Sequence, residues 1–318
     1  MSKSIASRVL NGDPTVSVRA DTRERIEIAA RDLAYRPHPL ARALAGTELG
    51  ALALLVPAFD NAAYTPLIRG AYARARERGY VLLAAEDFEG QEADDAFTEL
   101  VEAGRIDGLL IASARPARAL LAALERHWVP HVFVNRAIPG AAANVVLDVA
   151  LASRLALDHL VDLGHVRLAH LAGPAEIESA RRREDAFLQA ARGRGLEPIV
   201  VRAPFSESVG AEAARRLLAE HPEVTALYVS SFGQAAGALR SIADAGRRVP
   251  ADLSVLAFEE VTQAAYTVPP LTTIAMPMRE LGAASVDVLL DQIAGAPPEV
   301  HQLPTEPRLV VRGSTGPP

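Results

Sequence analysis

A chain of 318 residues that is half hydrophobic, 23% charged and free of cysteine is long enough for two or three core-bearing bodies and excludes disulfide and thiolate chemistry. No apolar run reaches the roughly 20 uncharged residues of a membrane span, and the N-terminus lacks the apolar core of a secretory signal. The net charge of −6 divides unevenly: residues 1–46 carry eight Lys/Arg against five Asp/Glu, which leaves −9 on the remainder. A basic head on an acidic body suits a phosphate-binding module joined to a soluble sensor, although surface charge also varies without purpose.

The chain opens with Ser2-Lys3-Ser4-Ile5-Ala6-Ser7-Arg8-Val9-Leu10-Asn11-Gly12. Ile5, Val9 and Leu10 fall at i, i+4 and i+5, an apolar helical stripe, while Ser2, Lys3, Ser4, Ser7, Arg8 and Asn11 offer short polar or basic side chains. Such a segment reads as the recognition helix of a helix-turn-helix and its exit turn. Asp21 or Thr22 is expected to cap the next helix, over residues 23–34. Tyr35-Arg36-Pro37-His38-Pro39 then ends it, because proline lacks a donor and biases its predecessor out of the helical region. The patch at 40–45 is too short to hold a helix without a partner.

From Leu49 short apolar runs alternate with amphipathic helices. Strands are expected at 49–56, 80–85, 108–112, 131–134 and 145–147, then at 167–171, 198–201, 226–229 and 253–258. Helices are expected at 67–78, 93–103, 150–163, 180–194, 211–219 and 235–245. This alternation implies parallel sheets covered on both faces, and two successive series imply an α/β fold of two similar lobes. A strand at 272–275, a helix at 278–293 and a strand at 309–311 complete them.

No phosphate loop, G-x-G-x-x-G turn, G-x-S-x-G elbow or H-E-x-x-H pair is present, which argues against the common enzyme classes and against a cofactor. The eight histidines show no metal-ligand spacing; His159 and His165 flank a helix end, where capping or packing is the simpler reading. Ligands of open α/β sheets bind beyond the carboxyl ends of the strands. Asp60, Asn61, Ser113, Asn135, Arg136, Asp148, Ser230, Ser231 and Glu259 fall there, and Arg183 is placed to join them. They supply donors and acceptors for a small ligand between lobes, with Tyr64, Phe205, Phe232 and Phe258 as stacking surfaces, although each alone is more often a turn or cap residue than a contact.

Ser7-Arg8-Val9-Leu10-Asn11-Gly12, Thr22-Arg23-Glu24-Arg25-Ile26, Tyr35-Arg36-Pro37 and Leu40-Ala41-Arg42-Ala43-Leu44 together resemble the headpiece of the lac-repressor (LacI/GalR) family of bacterial transcription regulators. The resemblance continues through Arg78-Gly79-Tyr80, Asp107-Gly108-Leu109-Leu110, Leu163-Gly164-His165, Pro270-Leu271-Thr272-Thr273 and Leu309-Val310-Val311-Arg312-Gly313-Ser314-Thr315. It implies a headpiece and hinge helix over 1–46 and a two-lobed sensor over 47–318, similar to periplasmic sugar-binding proteins. Lobe one would take about 47–147 and 276–295, and lobe two about 148–275 and 296–318. It also implies DNA contacts from Tyr35, Arg36, Ala41, Arg42 and Leu44 beside the recognition helix. By the same resemblance Met1 stands where a residue just before that helix is found, and about a dozen upstream residues, lost to a start codon placed too late, are expected to supply the first helix and turn.

The departures bear on the ligand. Where the family commonly carries an Asn-Asp pair this chain has Ser231-Phe232, and Asp148-Val149-Ala150 stands where Asp-Asn-Arg often opens a helix. Asn61-Ala62-Ala63-Tyr64 replaces Asn-Pro-Phe-Phe, while Arg183 and Glu259 remain. The expected effector is therefore sugar-like by resemblance but less polar, or ring-bearing, by these losses, with no small ligand at all as the remaining alternative. The reading is a cytoplasmic homodimeric repressor of palindromic operators, with a DNA-free solute-binding or sensor protein as the alternative. Paired hinge helices would wedge Leu44 into the minor groove, against the plainer reading of an apolar contact onto the sensor. Leu44→Ala is expected to weaken binding to a selected operator strongly while sparing salt-sensitive binding to random DNA. Equal losses on both DNAs, measured by fluorescence anisotropy, would assign Leu44 to support of the headpiece instead.

Overall fold

The computed structural model describes residues 5–6, 9, 17–32, 49–87, 91–113, 118–135 and 143–318. In the N-terminal part, Ile5, Ala6 and Val9 are helical and α1 spans Ala20–Asp32. Val9 and Ile26 are buried, but Ile5 is 38% exposed, so the expected stripe is covered at Val9 and open at Ile5. Helix α1 starts three residues earlier than its side chains suggest. The carbonyl of Arg19 accepts from the backbone N–H groups of Thr22 and Arg23, both at 3.0 Å, so neither Asp21 nor Thr22 is the cap. Asp21 sits instead in the first turn, where a carboxylate suits the positive end of the helix.

Beyond Leu49 two six-stranded sheets follow one plan. The first holds β1 (Ala51–Val56), β2 (Val81–Glu86), β3 (Gly108–Ile111), β4 (His131–Val134), β5 (Asn144–Val146) and β11 (Val300–Gln302), in the order β11-β5-β4-β3-β1-β2. The second holds β6 (Leu168–Ala172), β7 (Ile199–Arg202), β8 (Ala226–Val229), β9 (Ser254–Phe258), β10 (Thr272–Ala275) and β12 (Arg308–Val310), in the order β12-β10-β9-β8-β6-β7. All pairings are parallel except β10 with β12. Strand β11 corrects the sequence division, which gave 296–318 wholly to lobe two. Val300–Gln302 pairs with β5 in lobe one, and the chain crosses over only before β12. Its exposed, three-residue edge position leaves little periodicity to read.

Among the described residues eight helices cover these sheets: α2 (Thr65–Glu77), α3 (Gln91–Glu102), α4 (Arg118–Arg126), α5 (Val149–Asp162), α6 (Glu178–Arg192), α7 (Glu207–Glu220), α8 (Phe232–Asp244) and α9 (Met278–Ile293). None among the described residues is long and apolar enough to cross a membrane. The strands are apolar on both faces because both are covered. In lobe one Leu52, Leu54, Leu110 and Val132 face α2 and α9, while Ala53, Leu55, Leu109 and Phe133 face α3 and α4. In lobe two Ala169, Leu171, Leu227 and Val255 face α7 and α8, while Leu168, Tyr228 and Leu256 face α5 and α6.

Two helix pairs approach backbone to backbone. A Cβ on Gly70 of α2 would lie 1.9 Å from the Arg279 carbonyl oxygen, and one on Gly282 of α9 would lie 2.1 Å from that of Leu67. Lobe two repeats the device between α7 and α8, where Gly237 meets the Glu207 carbonyl. Both pairs begin at the carboxyl ends of the strands, so the crossings fix the rims on which ligand-facing residues stand. Gly282→Ala is expected to cost about 1–3 kcal/mol by overpacking, read as a lower urea midpoint. An unchanged midpoint would show that the helices part freely.

Candidate functional site

The carboxyl ends of both sets of strands face one another across a cavity of about 560 Å³. Lobe one contributes the turn after β1 with Asp60, Asn61 and Tyr64, and the residue after β4, Asn135. Lobe two contributes Ser179 and Arg183 from α6, Phe205 from the loop after β7, Ser231 and Phe232 at the start of α8, and Phe258 and Glu259 at the end of β9. The crossover residues Leu147 and Met276 line the same space.

The charged centre of the cavity is Arg183, 5% exposed, with its guanidinium carbon 3.5 Å from the centroid of the Phe258 ring. Its Nη1 donates to the carbonyl of Ser230, and its Nε has no hydrogen-bond partner among the described residues. Burial lowers the guanidinium pKa from its ordinary value, while Tyr228, Glu259 and Tyr64 act in the opposite sense. Arginine remains a cation in proteins, so this is a desolvated charge held by one carbonyl and one aromatic face. Glu259 stands nearby with its Oε2 accepting the Phe232 N–H at 3.0 Å. Burial raises its pKa, and Arg183 and the Phe232 hydrogen bond offset only part of that. Asn135 and Glu259 follow β4 and β9, equivalent strands of the two lobes, and both adopt positive φ, 60° and 84°. Left-handed backbone at non-glycine residues costs of order 1–3 kcal/mol and gathers at ligand sites.

A periplasmic binding protein-like domain family matches residues 157–315. The chain is 30% identical to the HTH-type transcriptional repressor CytR of Escherichia coli K12, over 99% of this chain and 93% of that protein. It is also 30% identical to the ribose operon repressor of the same strain, over 99% and 96% of the two chains. The chain belongs to the LacI family of transcription regulators. The crystal structure of the lac repressor dimer bound to operator and the anti-inducer ONPF superimposes with a TM-score of 0.83 at 29% identity, covering 99% of this chain and 96% of that one.

Of the residues expected at a LacI-family effector site, Asn61, Tyr64, Asn135, Arg183, Phe205, Ser231, Phe232, Phe258 and Glu259 all line this cavity. Ser113 does not. It is fully buried beyond β3, and its hydroxyl donates to Asp87, so a neighbouring carboxylate takes up the polar group that the sequence suggested for a ligand. Asp148 is the N-cap of α5, accepting the Leu151 N–H at 2.8 Å, and Ser230 lies behind the cavity wall. The expected DNA contacts Ser2, Lys3, Ser4, Ser7, Arg8, Asn11, Tyr35, Arg36, Ala41, Arg42 and Leu44 lie outside the described residues, as does Arg136.

Supporting residues escape a sequence reading. Ser231 caps α8, accepting the Gln234 N–H at 3.2 Å, so part of its hydroxyl is committed to the fold. Buried Gln234 donates to the carbonyls of Ala172, Ala203 and Pro204 and thereby pins the loop that carries Phe205. Gly173 leaves room for the Phe205 ring, whose Cζ would lie 2.2 Å from a Cβ there. The S-x-x-Q spacing marks a helix start, but no sequence signal ties Gln234 to a loop thirty residues away.

Because folding raises the Glu259 pKa, the folded chain binds the proton more tightly than the unfolded one, and stability falls as pH rises above the ordinary carboxylate value of 4.5. Glu259→Gln is therefore expected to raise the Tm of the ligand-free protein at pH 7, with the gain vanishing below pH 4.5. A Tm difference that is independent of pH, or a loss at pH 7, would refute this placement of the carboxylate.

Proposed function

We propose that this chain is a homodimeric, cytoplasmic repressor that binds a palindromic operator through its N-terminal segment and changes its operator affinity when a small molecule occupies the cleft. The observation that carries the reading is the convergence of nine expected residues on one cavity between the lobes, in a chain whose relatives are repressors. The cavity volume falls in the range of small-molecule sites. Its contents favour binding over catalysis: Arg183 is anchored to a carbonyl and a ring, Glu259 to a backbone N–H, and the remaining lining mixes aromatic and aliphatic side chains with serines, Asn61, Asn135 and the carboxylates of Asp60, Glu207 and Glu260. The effector is a small polar molecule with one apolar or ring face. Phe205 and Phe232 flank that face, while an acceptor meets Arg183 and a donor meets Glu259.

Selection of a binding site from random duplex DNA, followed by anisotropy titrations with sugars, nucleosides and related small molecules, tests the reading directly. The expected result is sequence-selective binding that one ligand class shifts. Ligand binding without any selective DNA binding would instead make the chain a DNA-free sensor. Arg183→Ala is expected to weaken the effector by about 1–3 kcal/mol, because a desolvated polar group loses its partner, which is roughly five- to 150-fold in Kd. Unchanged affinity by calorimetry would remove Arg183 from the site.

A further inference from the structure

Behind the cavity wall lies a buried polar group that ligand contact leaves unexplained. His170 on β6 and Tyr228 on β8 are in register, both fully buried, with ring centroids 4.7 Å apart at 15°. Phe187 of α6 closes the stack at 5.1 Å from His170 and 4.9 Å from Tyr228. One turn before Phe187 on the same buried face of α6 stands Arg183. The His170 Nδ1 lies 3.0 Å from the Tyr228 carbonyl, which only accepts, so Nδ1 carries the proton. Nε2 is then an acceptor, 3.5 Å from the Ser230 hydroxyl. Burial holds the imidazole neutral, its pKa pushed down to about 3, so no second cation faces Arg183 at any ordinary pH. Ser230 in turn holds the Arg183 head through its carbonyl, and Ser153 donates to the Arg183 carbonyl at 2.9 Å.

We propose that His170 and Ser230 are positioning residues for Arg183. The hydrogen bond from Ser230 to His170 fixes the bend after β8, and the Ser230 carbonyl then keeps the guanidinium flat on Phe258 with its unpartnered Nε–H held in place. The arrangement orders a long side chain before any ligand arrives, which spares binding that entropy cost. The imidazole thus adds two polar contacts to its ring stacking, and one of them reaches Ser230.

The proposal rests on Arg183 being a cleft donor, but its test uses ligand-free full-length protein, so failure to find an effector would sink the functional reading alone. With arginine labelled in 15N, Arg183→Lys identifies the Arg183 Nε–H resonance, whose exchange with water reports how firmly the head is held. His170→Phe, which keeps the stack but removes both polar contacts, is expected to speed that exchange at least tenfold, as is the milder Ser230→Ala. Phe187→Leu thins the stack and leaves the polar links, and is expected to keep exchange within about twofold of the parent chain. His170→Gln restores an acceptor for Ser230 and is expected to recover most of the protection. Should His170→Phe fail to fold, Ser230→Ala decides the matter by the same readout. Unchanged exchange in Ser230→Ala, or equal acceleration in Phe187→Leu and His170→Phe, would overturn the proposal.

Discussion

A guanidinium removed from water at the seam of two lobes is the constraint around which the rest is organised. A buried charge is costly unless surrounding groups replace its hydration. Arg183 receives one carbonyl, one aromatic face and one neighbouring carboxylate that itself resists ionisation. That set is incomplete, since its Nε stays unpartnered among the described residues. An unpaired buried donor costs about 1–3 kcal/mol, a cost that an acceptor brought by a ligand would remove. The site is thus less stable empty than a purely structural core would be, and the deficit is specific for chemistry that supplies an acceptor there.

The same deficit recurs in the backbone. Asn135 and Glu259 follow equivalent strands, β4 and β9, and both take left-handed conformations at the cavity lining. Such strain persists only where neighbours over-determine it. In lobe two the neighbours are identifiable: the Phe232 N–H holds the Glu259 carboxylate, and Gln234 holds the loop opposite. Glycine contacts at the α2–α9 and α7–α8 crossings fix the helices whose N-terminal ends carry Tyr64, Ser231 and Phe232. Rigid lobes with strained rims suit motion of one lobe against the other rather than deformation within either.

How much of this was legible varied with the range of the interaction involved. Apolar runs such as Leu52–Val56 and Val255–Phe258 announce buried parallel strands from composition alone, because both faces are covered. Helix α4 (Arg118–Arg126) is absent from the sequence expectation: at nine residues, with Pro116 just before it, it offers a short periodic signal. Asp148 and Ser231 were legible both as caps and as ligand contacts, and both are N-caps in the structure, while Ser231 also lines the cavity. Ser113 failed because its partner Asp87 lies 26 residues away across a strand crossing. His170 and Tyr228 were invisible as a pair because only strand register sets them side by side.

The point where the N-terminal segment joins the sensor shows how a ligand would be felt at a distance. Both carboxylate oxygens of Asp107, just before β3, accept backbone N–H groups: Leu49 at 2.8 Å and Ala51 at 3.0 Å. The chain therefore enters lobe one clamped at the amino end of β1, whereas the cavity opens at the carboxyl ends of the strands. No effector in the cavity touches that junction. What it touches is both lobes at once, across crossover residues such as Leu147 and Met276. A ligand shifts an equilibrium only by the difference in its affinity for two states. Here that difference is available in the gap between Asn135 and Tyr64 on one side and Arg183 and Glu259 on the other, which changes whenever the lobes rotate. A rotation of one lobe against the other would carry the clamped entry point at Leu49 and Ala51 with lobe one. Because the Asp107 clamp ties that entry point to lobe one, a change in the angle between the lobes would reach it without a continuous path of contacts from the cavity.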